Sequence, residues 1–477
     1  MLTLFTRPHS RDCQRSASSR RDFLRVGGLS LGGLSLANLL AAKASGASYV
    51  RDKSVVLLYL SGGASHIETF DPKMTAPAEI RSINGEVPTS IPGVTFGATF
   101  PRLAKNADQM AVVRSFHHSV GSHDQAHVHV LTGGLDKSPL GENAHSIGSL
   151  FARLRGANHP QTGLPTYCLL TENEIDGQYR KELSRVHKGS RPGVLGPSYA
   201  PFNHIGDAVE SKRKKSPPKT GLAADMQLNL PLERIEDRRA LLSELDRLRR
   251  RLEINGELQS VDHFRQQAAN LILGGASSAF ELKGEDPRTI ERYDTSHIRI
   301  GHKVFRPSTL GKQMLLARRL CEAGCGFVTV HSAGWDMHAD GNNPGMVRGM
   351  DMLGRSLDIA VSAFLEDVKQ RGLSQDILLV VTGDFGRTPK INKKGGRDHW
   401  ARLGTLAFAG GGLKMGQVIG QSARAADVPN DYPVTPENLM ATLMHTLLDV
   451  GTLRLDTSLP QELLKRVEEG RPISPLF

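Results

Sequence analysis

The sequence predicts an α/β protein, an α/β/α sandwich on a mostly parallel central sheet, and three observations carry that expectation. Ser54–Leu60 (SVVLLYL) and Ile377–Thr382 (ILLVVT) are almost unbroken runs of apolar or β-branched residues. Such runs mark strands buried on both faces, because a half-exposed strand would alternate polar and apolar positions. Strand-like runs also alternate with helix-like ones, which is the pattern of a parallel sheet covered by helices. Finally, polar residues gather just beyond strand ends, where open α/β sheets collect ligand groups. A chain of 477 residues has room for one large domain with insertions or for two ordinary ones. The division expected is an address segment at 1–48 and one α/β domain at 49–477, with an inserted linker and helical region around 205–308.

Residues 1–48 read as an export signal. Ser19-Arg20-Arg21-Asp22-Phe23-Leu24-Arg25 matches the twin-arginine consensus, which implies the twin-arginine export machinery as a partner and a periplasmic or secreted protein. The following stretch, Val26–Ala42, is too short and glycine-rich for a stable membrane span. Small-residue cleavage sites lie at Ala42-Lys43-Ala44 and Ser45-Gly46-Ala47. The formal charge of +11 includes seven Lys/Arg and two Asp/Glu in this segment, so the remainder carries +6. Much of that is one run, 212–219 (KRKKSPPK), without interleaved aromatics, and it reads as a solvated loop and not a nucleic-acid surface. Beyond Cys13 three cysteines remain, an odd number that implies no disulfide framework; Cys168, Cys321 and Cys325 read as small buried residues.

The first strand ends in Ser61-Gly62-Gly63, and two glycines let the backbone turn sharply and approach a ligand. His66, Glu68 and Asp71 follow as ligand types, with Ser65 and Thr69 as hydroxyls. Met110–Ser115 reads as a second strand, followed by His117, His118, His123, His127 and His129, a concentration far above chance in a chain with 18 histidines. A strand is expected at Pro165–Leu170 among mixed loops running from Gly163 to Phe202. Residues 205–225 read as a linker, Glu233–Glu253 as an amphipathic helix with Leu241, Leu245, Leu248 and Leu252 on one stripe, 258–282 as further helix, and 283–308 as irregular.

Thr309–Glu322 is an expected helix feeding the strand Gly326–His331, beyond which come Asp336 and His338. Two residues apart, these face one side if the segment is extended. A long helix, Gly345–Arg371, leads to the strand Ile377–Thr382. Asp384 stands just past its end, and a glycine- and lysine-rich loop then delivers Asp398 and His399. Leu403–Ala409 is a further strand, and Thr435-Pro436-Glu437 starts a final helix through Leu448. Carboxylates and imidazoles at four strand ends point to one site at the carboxyl edge of the sheet. Those residue types favour Zn²⁺ or a mixed divalent pair over Ca²⁺ or Mg²⁺.

The stretches SRRDFLRVGG, GGASHIETFDPK, GWDMH, GDFGRTPKIN and GRDHW resemble the twin-arginine-exported group called domain of unknown function 1501, over nearly the whole chain. The pattern is also similar to the alkaline-phosphatase and sulfatase superfamily. That resemblance implies an alkaline-phosphatase-like fold with Asp384, Asp336, His338 and His399 as metal ligands. The chain departs from the superfamily in several places. Phe385 stands where a His follows the strand-end Asp, and only Met337 separates Asp336 from His338. Gly62 and Gly63 occupy the place of the first metal-binding Asp, leaving His66 or Glu68 as substitutes. His123, which with His66 is a candidate to repair the missing metal ligands, falls where the sulfatase Cys or Ser nucleophile would be, which removes a formylglycine mechanism.

The reading that follows is an exported metal-dependent hydrolase of phosphate or sulfate esters, acting on a small ester or a sulfated or phosphorylated glycan. Attack by metal-activated water is expected, with Ser65 as the reserve nucleophile and Arg387 holding a tetrahedral oxyanion, against the alternative that Arg387 makes a structural salt bridge. The rival reading is a catalytically degenerate member that binds a metal, a glycan or a sulfated polymer in the cell envelope.

Overall fold

The computed structural model describes residues 49–477 apart from 143, 172–175, 204–275 and 458. The expected export segment, the basic run at 212–219, the helix Glu233–Glu253 and most of 258–282 lie outside the described residues. The chain divides after Tyr49, and the unit Val50–Phe477 holds every element named below.

Strand β1 (Ser54–Leu60) is buried at all seven positions, as its unbroken apolar run requires, and lies inside an eight-stranded sheet. In chain order the others are β2 (Met110–Val113), β3 (Tyr167–Leu170), β4 (Phe202–Asn203), β5 (Phe327–Ser332), β6 (Ile377–Gly383), β7 (Leu406–Gly410) and β8 (Gln417–Ile419). Across the sheet they run β8-β2-β7-β6-β1-β5-β3-β4. β1 is parallel to its neighbours β6 and β5, and β3 and β4 continue in the same sense. At the other side β8 is parallel to β2. β7 alone reverses, antiparallel to both β6 and β2. A parallel return needs a long crossover, usually a helix. Between β6 and β7 the chain forms only loop and a two-residue ribbon strand at each of Gly386–Arg387 and His399–Trp400, so it comes back antiparallel.

Register decides where the site lies. Leu60 of β1 stands opposite Gly383 of β6 and Ser332 of β5. Three adjacent strands therefore end level, and their loops leave from one edge.

The helices of interest are α1 (His66–Thr69), α2 (His123–Leu131), α3 (Ile147–Arg155), α4 (Gly177–Gly189), α5 (Leu310–Glu322), α6 (Arg355–Gln370) and α7 (Pro436–Leu447). α5 packs against α6 and joins the core beside Val56, Leu58 and Leu60 of β1. Side chains of a strand alternate between faces, and on the opposite face the hydroxyl of Tyr59 meets His127 of α2, which packs against α4. Helices thus cover both faces, giving the expected α/β/α sandwich. The long helix expected at 345–371 contains one π-type turn at Met350–Gly354 ahead of α6. α7 opens with a capping box between Thr435 and Asn438.

Several features were not expected or differ from expectation. The histidine-dense segment is a helix, α2; α3 was not anticipated; and 163–202, expected as loops around a strand, contains the thirteen-residue α4. The buried side of α4 is the narrow stripe Tyr179, Leu183 and Val186 in an otherwise charged sequence, too thin to stand out as a periodic signal. Glu182 shares that stripe and is buried with it. Residues 283–308, expected to be irregular, form a short helix at Pro287–Arg292 and a ribbon pairing Arg299–Ile300 with Arg306–Pro307. Cys168, Cys321 and Cys325 are buried free thiols, as expected.

Away from the site, α5 and α6 are tied by charge. Arg318 is fully buried and bonds Glu285 at 2.5 Å, Glu322 at 2.5 Å and Asp367 at 2.8 Å. Arg319 and Arg371 also reach Glu285, at 2.9 and 2.6 Å. Burial would raise the Glu285 carboxyl, but hydrogen bonds from Arg319 and Arg318 and the nearby guanidinium charges take it down to about 2. A carboxylate with a depressed folded-state pKa contributes stability above its ordinary pKa and loses it on acidification. Stability from Glu285 is therefore expected to be fully present above pH 4.5 and to fade as pH falls towards 2. Denaturant midpoints of wild type and Glu285→Gln should differ near neutral pH and converge across that window; a gap independent of pH would contradict the assignment.

Candidate metal centre

The site grows from the level ends of β6, β1 and β5. Asp384 directly follows β6 and is fully buried. Its Oδ1 accepts the Gly62 N–H at 3.0 Å, and its backbone carbonyl accepts a hydrogen bond from His118 Nε2 at 2.7 Å. Oδ2 faces His123 Nδ1 at 2.5 Å and His127 Nε2 at 3.5 Å. Both histidines come from α2, four residues apart and so on one helix face. Asp336, in the loop after β5, has Oδ2 3.4 Å from His123 Nε2, and its Oδ1 lies 3.0 Å from His338 Nε2 and 3.4 Å from His399 Nε2. Among the described residues two groups can hold a metal ion: His123, His127 and Asp384, and His123, Asp336 and His399, with ligand atoms in each group within 4.8 Å of one another. His123 belongs to both.

The double glycine after β1 makes this convergence sterically feasible. Gly62 and Gly63 have φ of +100° and +84°. A Cβ on Gly62 would lie 2.5 Å from the backbone nitrogen of Asp336, and one on Gly63 would lie 2.8 Å from the Phe385 ring. The loop after β1 thus nests directly against the loops after β5 and β6. Gly62→Ala is expected to lower stability by about 1–3 kcal/mol through overpacking and to displace Asp336. Thermal unfolding together with metal content would check both consequences.

Arg387 ties the three loops together. It is fully buried, donates from Nε to the Gly63 carbonyl at 2.8 Å and from Nη1 to the Arg397 carbonyl at 3.2 Å, and uses Nη2 for the Gly62 carbonyl and for Asp336 Oδ1 at 2.5 Å. The sequence offered it as an oxyanion holder or a structural salt bridge, and here its guanidinium is paired with Asp336. Glu68 is likewise engaged elsewhere, with its buried carboxylate bonded to Arg397 at 2.8 Å, Ser82 at 2.7 Å and Asn84 at 2.8 Å. His66 Nε2 bonds the Ala426 carbonyl at 3.0 Å, and neither His66 nor Glu68 belongs to a ligand group. Ser65 is buried and caps α1, its Oγ accepting the Glu68 N–H at 3.4 Å. These three residues build the loop after β1. His338 stands beside the second group, bridging Asp336 and Asp398, whose Oδ1 is 2.8 Å from Nδ1. Outer carboxylates of this kind fix the orientation of ligands.

Electrostatics separates the imidazoles. Burial would raise both aspartates, but His127 and His123, charged at the acid pH where Asp384 titrates, hold Asp384 well below the usual carboxylate range, and Arg387 with the His123 hydrogen bond does so for Asp336. His123 is opposed by burial yet raised to about 9 by the charge of Asp384 and hydrogen bonds to Asp336 and Asp384. Burial lowers His127 to about 4 and also lowers His399. Those two rings are neutral near pH 7, the state in which imidazole binds a metal. The Nε2 atoms of both are buried without a hydrogen-bond partner of normal geometry, and each points at one of the two aspartates. Orphaned imidazole nitrogens facing carboxylates fit a borderline divalent ion.

Sequence reasoning passed over two contributors. His127 was one of five histidines in a dense segment; its i, i+4 spacing from His123 becomes informative once the segment is a helix. Glu182 accepts from Ser61 Oγ at 2.8 Å and from the Gly334 N–H at 2.9 Å, while His331 Nε2 lies 2.7 Å from Ser61 Oγ. Burial pushes the Glu182 carboxyl up to about 8. This set braces the roots of the loops after β1 and β5, and nothing in the sequence announced it because α4 was not anticipated. Beside His399 opens a cleft of about 730 Å³ lined by His117, His118, His129, Lys137, Trp400 and Arg402, among others.

No curated protein matches the sequence. Among solved structures the chain is similar to a sulfatase, PsFucS1, from Pseudoalteromonas sp., at 12% identity over 88% of this chain and 72% of that one, with a TM-score of 0.36. It is also similar to alkaline phosphatase from the Antarctic bacterium TAB5 (10% identity, 83% and 98% covered, TM-score 0.38) and to the phosphonate monoester hydrolase SpPMH from Silicibacter pomeroyi (10%, 83% and 73%, 0.33). Likeness this loose carries no weight in assigning the protein. The family described as "Protein of unknown function (DUF1501)" matches residues 52–476. Matched over nearly its whole length, the chain belongs to the DUF1501 family.

Proposed function

We propose that the protein is an exported metal-dependent hydrolase of phosphate or sulfate esters, acting on a small ester or on a sulfated or phosphorylated glycan. The observation that carries this reading is the pair of His/Asp ligand groups sharing His123 at the carboxyl edge of the sheet, beside an open cleft. The donor set suits Zn²⁺ or a mixed divalent pair. A divalent ion held by His123, His127, His399, Asp336 and Asp384 would polarise the ester oxygen and activate water at neutral pH. The chain's own contributions are positional and electrostatic. Arg387 holds Asp336 against the glycine turn, and Asp384 fixes the His123 ring through Nδ1. Lys137 and Arg402 line the cleft and supply positive charge for an anionic ester, the task first given to Arg387. Ser65, capped and buried, is not needed as a nucleophile.

Two measurements test the reading. The protein purified with its metal should hydrolyse at least one of an aryl phosphate, a phosphodiester and an aryl sulfate. Bound metal with every ester untouched would favour the binding-protein alternative, and absence of bound metal would remove both. Export is the second measurement. Among the described residues no helix is long and apolar enough to cross a membrane, and the Arg20-Arg21 motif supports the twin-arginine route. Replacing Arg20 and Arg21 together by Lys is expected to retain the precursor in the cytoplasm. Unchanged export of that double variant would overturn the route.

A further inference from the structure

We propose that His123 bridges two metal ions, one on each ring nitrogen, so that the site is a dinuclear centre joined through an imidazolate. This rests on the metal-centre reading above, which allows one ion or a pair, and goes further, to the residue that links two ions. One ring serves two ligand groups through different atoms: Nδ1 faces Asp384 Oδ2 at 2.5 Å, and Nε2 faces Asp336 Oδ2 at 3.4 Å. The two imidazole nitrogens have diverging lone pairs, so one ion cannot be bound by both. His127 stands on the Nδ1 side and His399 on the Nε2 side, each with its Nε2 within 3.5 Å of the aspartate of its own group.

The unpartnered nitrogens separate one ion from two. His127 Nε2 and His399 Nε2 are both buried without a hydrogen-bond partner of normal geometry, and leaving such an atom unsatisfied costs about 1–3 kcal/mol. A single ion in either group would satisfy one of them and strand the other, whereas an ion in each satisfies both. Each ion would then have three protein ligands, a histidine, an aspartate and one nitrogen of His123, which leaves the open position a catalytic site keeps. The ring is also held against rotation, packed 4.7 Å from Phe385 and 4.2 Å from His399 between centroids. Charge closes consistently. Two divalent ions meet two carboxylates, one imidazolate and the Arg387 guanidinium, so the centre keeps a net positive charge towards an anionic ester. The ring gives up one proton to solvent as each ion binds, and the lone pair freed on that nitrogen forms the new bond.

The test uses the full-length protein stripped with a chelator and titrated with Cu²⁺, read by metal content and electron paramagnetic resonance. The wild type is expected to take up two ions per chain. The isolated-ion signal of the first equivalent should give way to an exchange-coupled spectrum as the second enters. His399→Ala should bind one ion with an uncoupled signal, and His123→Gln should lose the coupling. If His123→Gln does not fold, the wild-type titration and His399→Ala decide alone. Two ions without coupling would overturn the bridge. A wild-type stoichiometry of one with ester hydrolysis intact would overturn the bridge and leave the hydrolase reading standing, and no uptake at all would remove both.

Discussion

Asp384→Asn is expected to abolish metal retention and ester hydrolysis while leaving the fold intact. The asparagine keeps the shape of the side chain and can still accept the Gly62 N–H that Asp384 Oδ1 takes at 3.0 Å. It removes the negative charge that two histidines of α2 face, at 2.5 and 3.5 Å. Losing an outer partner of a metal ligand typically weakens affinity or activity about 10–100-fold, and losing a buried ligand itself should exceed that. Asp398→Asn supplies the internal comparison, because Asp398 is more than half exposed and reaches the site only through His338. The expected order is a loss beyond ~100-fold for Asp384→Asn and one within ~10–100-fold for Asp398→Asn, measured as metal per chain and as kcat/KM on an aryl ester. Equal, small effects of the two variants would show that Asp384 binds no ion.

The largest expected effect on stability belongs to Arg318→Ala. The Arg318 guanidinium is fully buried between Glu285 and Asp367, and Asp367 also accepts from the Tyr293 hydroxyl at 3.1 Å. Removing one partner of a buried ion pair leaves the others charged in a poorly solvated place, at a cost of about 3–5 kcal/mol. The exposed pair Arg355–Asp351, at 3.2 Å, is the control, since Arg355→Ala should cost under about 1 kcal/mol. Denaturant midpoints of the two variants would decide. A loss below about 1 kcal/mol for Arg318→Ala would show that its carboxylate partners are solvated after all.

Much of the fold was legible because burial writes itself into strands and long helices. β1 and β6 were found from almost unbroken apolar runs, and α7 from the Thr435-Pro436-Glu437 start of its first turn. α4 escaped because only Tyr179, Leu183 and Val186 mark its buried side. The reversal of β7 escaped because strand composition carries no direction.

For the site, the sequence by itself determined the chemistry: carboxylates and imidazoles just past strand ends, a glycine turn after the first strand, and the family. Those are local features, set by residue type and by position along one element. Only the tertiary structure decided which of these side chains meet. The level register of β1, β5 and β6 brings Asp336 and Asp384 to one edge, α2 turns His123 and His127 towards them, and the same packing commits Glu68 to Arg397 and Arg387 to backbone carbonyls. The reason is physical: donor partners are set by distances between segments far apart along the chain, as in the 261-residue separation of His123 and Asp384. No pattern within a single segment encodes such a distance.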